Sequence, residues 1–302
     1  MKLIQSQDCS DFHTIKDFYR YALSKAYEAN LYYGHGTDNP EDDLLWLVLA
    51  SLNLPLTTDA SLLDARLTAA EKQHLCAQLS KRIDDRIPVA YLINKAWFCG
   101  LPFYVDEHVL IPRSPIAELI EQHFAPWVDP FEVDNILDLC TGSGCIAIAL
   151  AYAFPDACVT GVDISEEALH VAIRNRKEHH LESQVNFFQS DVWSEIPSER
   201  FNLIVSNPPY VSDEEMETLP IEYRHEPDMA LRANEKGLAI VEQILQQAKH
   251  YLTEKGILVV EVGNSEPILI EKYPHLPFTW LEFERGGQGI FLLTAEQLNQ
   301  YF

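Results

Sequence analysis

Apolar residues recur at helical spacing through Phe12, Ile15, Tyr19, Ala22, Leu23 and Ala26, which predicts a first helix. A second is predicted over the apolar run from Leu44 to Leu54. It follows Asp38-Asn39-Pro40-Glu41-Asp42-Asp43, a capping cluster whose acids suit a helix N-terminus. Thr68-Ala69-Ala70-Glu71 matches a capping box, and Leu75, Leu79 and Ile83 continue that helix. Pro88 punctuates the pattern, so residues 1–85 are predicted to form a small helical bundle.

The pattern then becomes extended. Ala96-Trp97-Phe98-Cys99, a break at Gly100-Leu101-Pro102, and Phe103-Tyr104-Val105 predict a β-hairpin. Ser114-Pro115 predicts the start of a helix through about His123, because Ser caps well and Pro suits the first turn. Residues 86–123 therefore read as a structured linker of hairpin and helix. From 124 to 302 strands and helices alternate. Strands are predicted at 135–139, 159–162, 185–188, 203–206 and 257–262, with an antiparallel pair at 278–283 and 290–294. Helices are predicted at 146–154, after Ser165-Glu166-Glu167, and at 238–252. Alternation of this kind predicts a mainly parallel α/β sheet covered by helices on both faces.

Composition narrows the function classes. The 302 residues are 47% hydrophobic and 23% charged, ordinary for a globular chain. With 22 Lys+Arg against 46 Asp+Glu, the formal net charge is −24. Such a chain is poorly suited to gripping duplex DNA and well suited to attracting a basic partner. No apolar run approaches the roughly 18 residues of a membrane span. The N-terminal Met1-Lys2-Leu3-Ile4-Gln5-Ser6-Gln7-Asp8 has no long apolar stretch after its one Lys and does not read as a signal peptide. The six cysteines form no C-x-x-C pair, which points to reduced, buried thiols and a cytoplasmic setting. The eleven histidines include no H-E-x-x-H, and His179-His180 reads as a solvated helix end, so no metal site is expected.

Two motifs carry chemistry. Asp138-Leu139-Cys140-Thr141-Gly142-Ser143-Gly144 leaves the first strand and opens a helix, where glycines let the backbone approach a ligand. Asp163, twenty-one residues after Gly142, ends the second strand and can accept both hydroxyl protons of a ribose. The spacing Gly142-x-Gly144-x-x-Ala147 also fits a dinucleotide site, so a dehydrogenase competes. Asp138 tilts the balance, because a carboxylate repels a pyrophosphate and suits the ammonium of S-adenosylmethionine. The second motif, Asn207-Pro208-Pro209-Tyr210, ends the fourth strand and is a rigid tetrapeptide. The Asn207 side-chain oxygen and the Pro208 carbonyl can each accept one proton of a planar –NH2 group, and the Tyr210 ring can stack on its plane. Such a site aims an amide or amino lone pair at a sulfonium methyl.

D-x-C-x-G-x-G resembles the first motif of class I S-adenosylmethionine-dependent methyltransferases, with Cys140 where many members have Gly. That resemblance implies a Rossmann-like domain, S-adenosyl-L-methionine as cofactor, and cofactor contacts from Asp138, Cys140, Thr141, Gly142, Ser143, Gly144, Asp163 and Asn207. It adds Asp191 near the adenine amino group, with Val192 or Trp193 bordering the ring. Enzymes with N-P-P-Y methylate exocyclic nitrogens of DNA bases or glutamine side chains of proteins, and the charge disfavours DNA. Along almost its whole length the chain resembles the protein-glutamine N(5)-methyltransferases, including Glu226-Pro227-Asp228-Met229-Ala230-Leu231 through Gly237-Leu238. Arg113-Ser114-Pro115-Ile116-Ala117-Glu118 and Tyr223-Arg224-His225-Glu226-Pro227 are similar to the branch that acts on the third protein of the large ribosomal subunit, rather than the branch that acts on the Gly-Gly-Gln of release factors. The resemblance implies catalytic Asn207, Pro208 and Tyr210, substrate contact from Asn207 through Tyr210, an N-terminal substrate-recognition domain, and a basic ribosomal protein as partner. A non-enzymatic ribosome-assembly binder is the reading that intact Asn207 argues against.

Two features remain. Asp213, Glu214, Glu215, Glu217, Glu222, Glu226 and Asp228 are accompanied within their segment by Arg224 alone. They read as an acidic rim near the site mouth that steers a basic protein in and repels ribosomal RNA, which favours action before assembly. Gly286-Gly287-Gln288 spells the release-factor tripeptide but reads as a hairpin turn.

Overall fold

The computed structural model describes residues 2–4, 9–197 and 199–301. Most of Met1–Asp8, on which the leader reading rests, lies outside the described residues. The chain divides into two compact units. One comprises residues 1–96 with 220–225, the other 97–219 with 226–302.

In the first unit, α1 (Ile15–Ala29) is closed by a capping box: Thr14 accepts from the Asp17 amide at 3.2 Å, and Asp17 accepts from the Thr14 amide at 2.9 Å. Phe12 precedes the helix and meets Phe18 edge-on at 5.1 Å. α2 (Pro40–Ser51) begins after Asn39, whose side chain accepts from the Asp42 amide. α3 (Ala69–Ile83) starts at the Thr68–Glu71 box, and α4 (Val89–Leu92) is a single turn. Phe18, Leu44, Leu47, Leu75 and Leu79 are fully buried in the bundle core. Two acids read as surface capping charges or rim are instead buried. Asp43 accepts from Arg82 Nε at 2.7 Å, and Glu222 accepts from the Tyr32 amide at 3.0 Å and from Arg86 at 3.1 Å. Breaking such a pair costs about 3–5 kcal/mol, because a charge is left without its partner. Glu222 thereby fastens residues 220–225 to this unit.

The second unit starts at the hairpin, β1 (Ala96–Phe98) and β2 (Leu101–Phe103), followed by α5 (Ile116–Glu121). Residues 97–123 are not a separate linker: Phe98, Phe103, Ile116 and Ile120 are buried in the same apolar cluster as the central sheet, so packing sets the division near residue 96. Ahead of α5, Ser114 Oγ accepts from the Ile116 amide at 3.1 Å, but Pro115 rather than Ser114 holds the N-cap position. The helix ends before His123 and Phe124, which both take positive φ.

Next come β3 (Asn135–Leu139), α6 (Cys145–Ala153), β4 (Cys158–Asp163), α7 (Glu166–Glu178), β5 (Val185–Gln189) and β6 (Phe201–Ser206). Two short helices, α8 (Asp213–Thr218) and α9 (Asp228–Leu231), precede α10 (Ala239–Tyr251), β7 (Leu252–Glu261) and α11 (Glu266–Lys272). β8 (Thr279–Trp280), β9 (Ile290–Thr294) and α12 (Ala295–Tyr301) close the unit. The sheet runs β5-β4-β3-β6-β7-β9-β8, with the first five strands parallel and β9 antiparallel to both neighbours. β3 and α6 are buried on nearly every side, which explains why α6 is apolar along its length and why β3 is apolar apart from Asn135 and Asp138. The chain moves from β3 outward to β5 and then returns to β6 on the other flank. Leu139 pairs with Ser206, so the loops leaving β3 and β6 emerge side by side at this switch point.

Three local expectations change. Gly286-Gly287 is not a two-residue hairpin turn: eight residues separate Ile290 from Leu281, and a Cβ on Gly287 would collide with Pro115. His179 is not merely solvated, since Nε2 bonds the Pro102 carbonyl at 2.8 Å and Nδ1 the Tyr152 hydroxyl at 3.2 Å. None of the six cysteines is joined in a disulfide, but only Cys9, Cys76 and Cys145 are buried; Cys158, at the outer start of β4, is exposed. Among the described residues, no helix is long and apolar enough to cross a membrane.

Candidate active site

The loop after β3 is tied down by bonds close in sequence. Asp138 is fully buried and accepts from Thr141 Oγ1 at 2.5 Å and from the Ala147 amide at 3.1 Å, while its Oδ1 has no hydrogen-bond partner among the described residues. Burial pushes its pKa up to about 7 against the Thr141 and Ala147 hydrogen bonds. Cys140 takes φ 60, a left-handed backbone at the position where related motifs carry glycine. Burial also raises its thiol pKa. The Gly142 amide donates to Asp163 Oδ2 at 2.8 Å and the Ser165 amide to Oδ1 at 3.0 Å, so two backbone dipoles orient the carboxylate. Burial raises the Asp163 pKa, and those amides oppose it.

The loop and Asp163 border a cavity of about 310 Å³ within the second unit. Of the predicted residues, Cys140, Thr141, Gly142, Ser143, Asp163, Asp191, Val192, Asn207 and Pro209 line it. Asp138, Gly144, Pro208 and Tyr210 do not. Asp138 lies beneath the loop, where direct contact with a ligand ammonium gives way to holding Thr141 and the start of α6. Trp193 does not border the cavity either: it stacks on Tyr251 at 4.6 Å and donates to the Gln243 carbonyl, which commits it to the core.

The lining fits a nucleoside carrying positive charge and no phosphate. It offers the Asp163 and Asp191 carboxylates with apolar Val109, Ile146, Val162 and Ile240. Its two arginines are already engaged by acids. Arg113 grips Glu226 through its two terminal guanidinium nitrogens at 2.5 and 2.7 Å, and Arg232 pairs with Asp213 and Asp228. The pyrophosphate of a dinucleotide would meet carboxylates and compensated arginines, which disfavours the dehydrogenase reading.

Tyr210 is placed by residues distant in sequence. Its hydroxyl donates to Glu261 Oε1 at 2.8 Å, and its carbonyl accepts from Ser265 Oγ at 3.0 Å. The segment Asp213–Asp228 is largely compensated and is not a free acidic rim. Glu226 and Glu222 are buried on arginines, Asp213 and Asp228 share Arg232, and Glu215 caps α8 through Ser212. Glu214 and Glu217 remain exposed. The compensating arginines stand at 82, 86, 113 and 232, outside the segment, which is why counting charge within it misled. Sequence reasoning also missed Glu261: a single acid ending a strand gives no signal until its partners are known.

Residues 119–222 match the methyltransferase small domain family. The chain is 44% identical to the ribosomal protein uL3 glutamine methyltransferase of Francisella tularensis subsp. tularensis over 298 residues, 98% of this chain and 95% of that protein. Against the ribosomal protein uL3 glutamine methyltransferase of Neisseria meningitidis serogroup B it is 46% identical over 294 residues, 97% of each. Among solved structures, the hMettl16 catalytic domain, crystallised with the MAT2A 3'UTR hairpin 6, is similar with a TM-score of 0.51 and 15% identity, over 74% of this chain and 81% of that one. At that identity the likeness speaks for the fold alone.

Proposed function

We propose, from the premise that this chain belongs to the ribosomal protein uL3 glutamine methyltransferases, that it transfers a methyl group from S-adenosylmethionine to the side-chain amide nitrogen of a glutamine in that ribosomal protein. The observation that carries the chemistry is that Asn207 and the Cys140–Ser143 loop line one cavity at the switch point of the sheet. Bound there, the cofactor supplies an electrophilic methyl on a sulfonium. Asp163 accepts the ribose hydroxyls, because two amides hold its carboxylate toward the cavity. Asp191 and Val192 flank the base, and Thr141, Gly142 and Ser143 contribute backbone. Asp138 and Gly144 act indirectly by shaping the loop.

An amide nitrogen is a weak nucleophile because its lone pair is delocalised into the carbonyl. The Asn207 side-chain oxygen and the Pro208 carbonyl accept its two protons, which fixes the plane of the amide and aims the nitrogen at the methyl. Pro209 stiffens the segment, and Tyr210 packs on the amide. Orientation in a site shielded from water supplies much of the rate. The proton released after transfer passes to water.

A basic ribosomal protein as substrate accords with the net charge of −24. The same charge repels ribosomal RNA, so we infer action in the cytoplasm on the free protein before assembly. Steering falls to the distributed charge and to exposed Glu214 and Glu217. With both reversed to lysine, association with the ribosomal protein should slow and lose part of its salt dependence. Rates unchanged in stopped-flow at low and high salt would defeat the steering reading. The test of function is methyl transfer from isotopically labelled cofactor to purified uL3, to assembled large subunits and to a release factor. The site is then located by peptide mass spectrometry. Label on a glutamine of free uL3 is expected. Label only on the release factor would overturn the choice of substrate.

A further inference from the structure

Resting on the glutamine-methylation reading, we propose that Glu261 is a positioning residue: it holds the Tyr210 phenol, and through it Asn207–Tyr210, in the geometry that receives the substrate amide. Glu261 ends β7, adjacent to β6, where Val260 pairs with Ser206 just before Asn207. Its side chain is buried, an expensive place for a carboxylate that serves stability alone. Two hydroxyls from different parts of the chain converge on it. Ser114 Oγ donates to Oε2 at 2.5 Å and Tyr210 to Oε1 at 2.8 Å. Ser114 is itself fixed, since its oxygen accepts from the Ile116 amide at the start of α5. The carboxylate therefore references the tyrosine to a rigid helix start as well as to the sheet.

The residues that follow Glu261 complete the hold. Gly263 has φ 47, and a Cβ there would lie 2.5 Å from Tyr210 Cε2, so the ring rests directly against backbone. Ser265 Oγ donates to the Tyr210 carbonyl. Hydroxyl, ring and carbonyl of one residue are thus each held by the stretch 261–265. A tyrosine needed only as core filling requires no such three-point restraint. A tyrosine that must present a fixed face to a planar amide does, because small misplacement of a positioning group is expensive in rate.

The experiment compares wild type, Glu261→Gln, Tyr210→Phe and the double variant, with the protein substrate and labelled cofactor. It measures kcat and KM per folded molecule, and cofactor affinity by calorimetry. Each single variant is expected to lower kcat by about 10- to 100-fold, with cofactor affinity within about two-fold of wild type. Because Glu261 acts through Tyr210, the double variant should be no worse than the poorer single one. A merely structural Glu261 would lower melting temperature and leave kcat per folded molecule unchanged. Additive losses in the double variant, or wild-type kcat in folded Glu261→Gln, would overturn the proposal. Tyr210→Phe leaves Glu261 bonded to Ser114, so its wild-type kcat would overturn it even if Glu261→Gln failed to fold. Wild-type protein that methylates no glutamine overturns both readings. Wild-type protein that does, beside silent variants, overturns this one alone.

Discussion

The two loops at the switch point are built in opposite ways. The loop after β3 is a local object: Asp138 holds Thr141 and Ala147, three and nine residues on, and Asp163 holds Gly142 from the next strand. The segment after β6 is a tertiary object: Tyr210 depends on Glu261 and Ser265, more than fifty residues away, and Glu261 on Ser114. A loop whose ties reach no farther than the neighbouring strand keeps its shape with few distant partners. A segment held from three parts of the chain exists only once the sheet has formed. Damage to the first should therefore appear in cofactor affinity and loop stability, and damage to the second in turnover.

The largest expected effect tests the local loop through pH. The Asp138 carboxyl titrates near 7 in the folded chain and near 3.8 when free. Below about pH 4 both states hold the proton. As pH rises toward 7 the unfolded chain releases it and the folded chain does not, so stability falls by roughly 4 kcal/mol in all. Asp138→Asn removes that titration. In cofactor-free protein, the stability of wild type relative to Asp138→Asn should decline between pH 4 and 7 and level off above. A flat difference in denaturant titrations would show that Asp138 is ionised throughout.

Next is Asn207→Ala, which should reduce kcat by about 10²–10³-fold while leaving cofactor affinity nearly intact, the scale for one lost positioning contact in the transition state. Near wild-type turnover would break the distinction between the two loops. Asp163→Ala should do the reverse. Loss of a charged acceptor should weaken S-adenosylmethionine binding by roughly 1.5–3 kcal/mol in calorimetry, with kcat at saturating cofactor far less affected. Cys140→Gly sharpens the comparison at its smallest scale. Glycine relieves left-handed strain of about 1 kcal/mol and loosens the unfolded chain by a similar amount. A change in stability within about 1 kcal/mol is expected, with unchanged cofactor affinity. A larger loss would mean that the thiol, rather than the backbone, matters there.

Much of this architecture was legible along the chain. Period and caps located most elements to within a few residues, because Thr14, Asn39, Thr68 and Ser165 act on amides three positions away. The glycine loop and Asn207-Pro208-Pro209-Tyr210 were legible because φ restrictions and short spacings are properties of neighbouring residues. Asp191, Val192 and Asn207 border the cavity because strand ends in a parallel sheet share one edge. The rest was set by folding. Trp193 went to Tyr251 rather than to the cavity, and residues 97–123 joined the catalytic core rather than a linker. Glu222 and Glu226 left the surface because Arg86 and Arg113 were waiting for them. By itself the sequence determined the local conformations and the chemistry available at each strand end, since both depend on contacts within a few residues. Only the tertiary structure decided which charges are neutralised and what holds Tyr210, because burial and pairing join residues that linear order keeps apart.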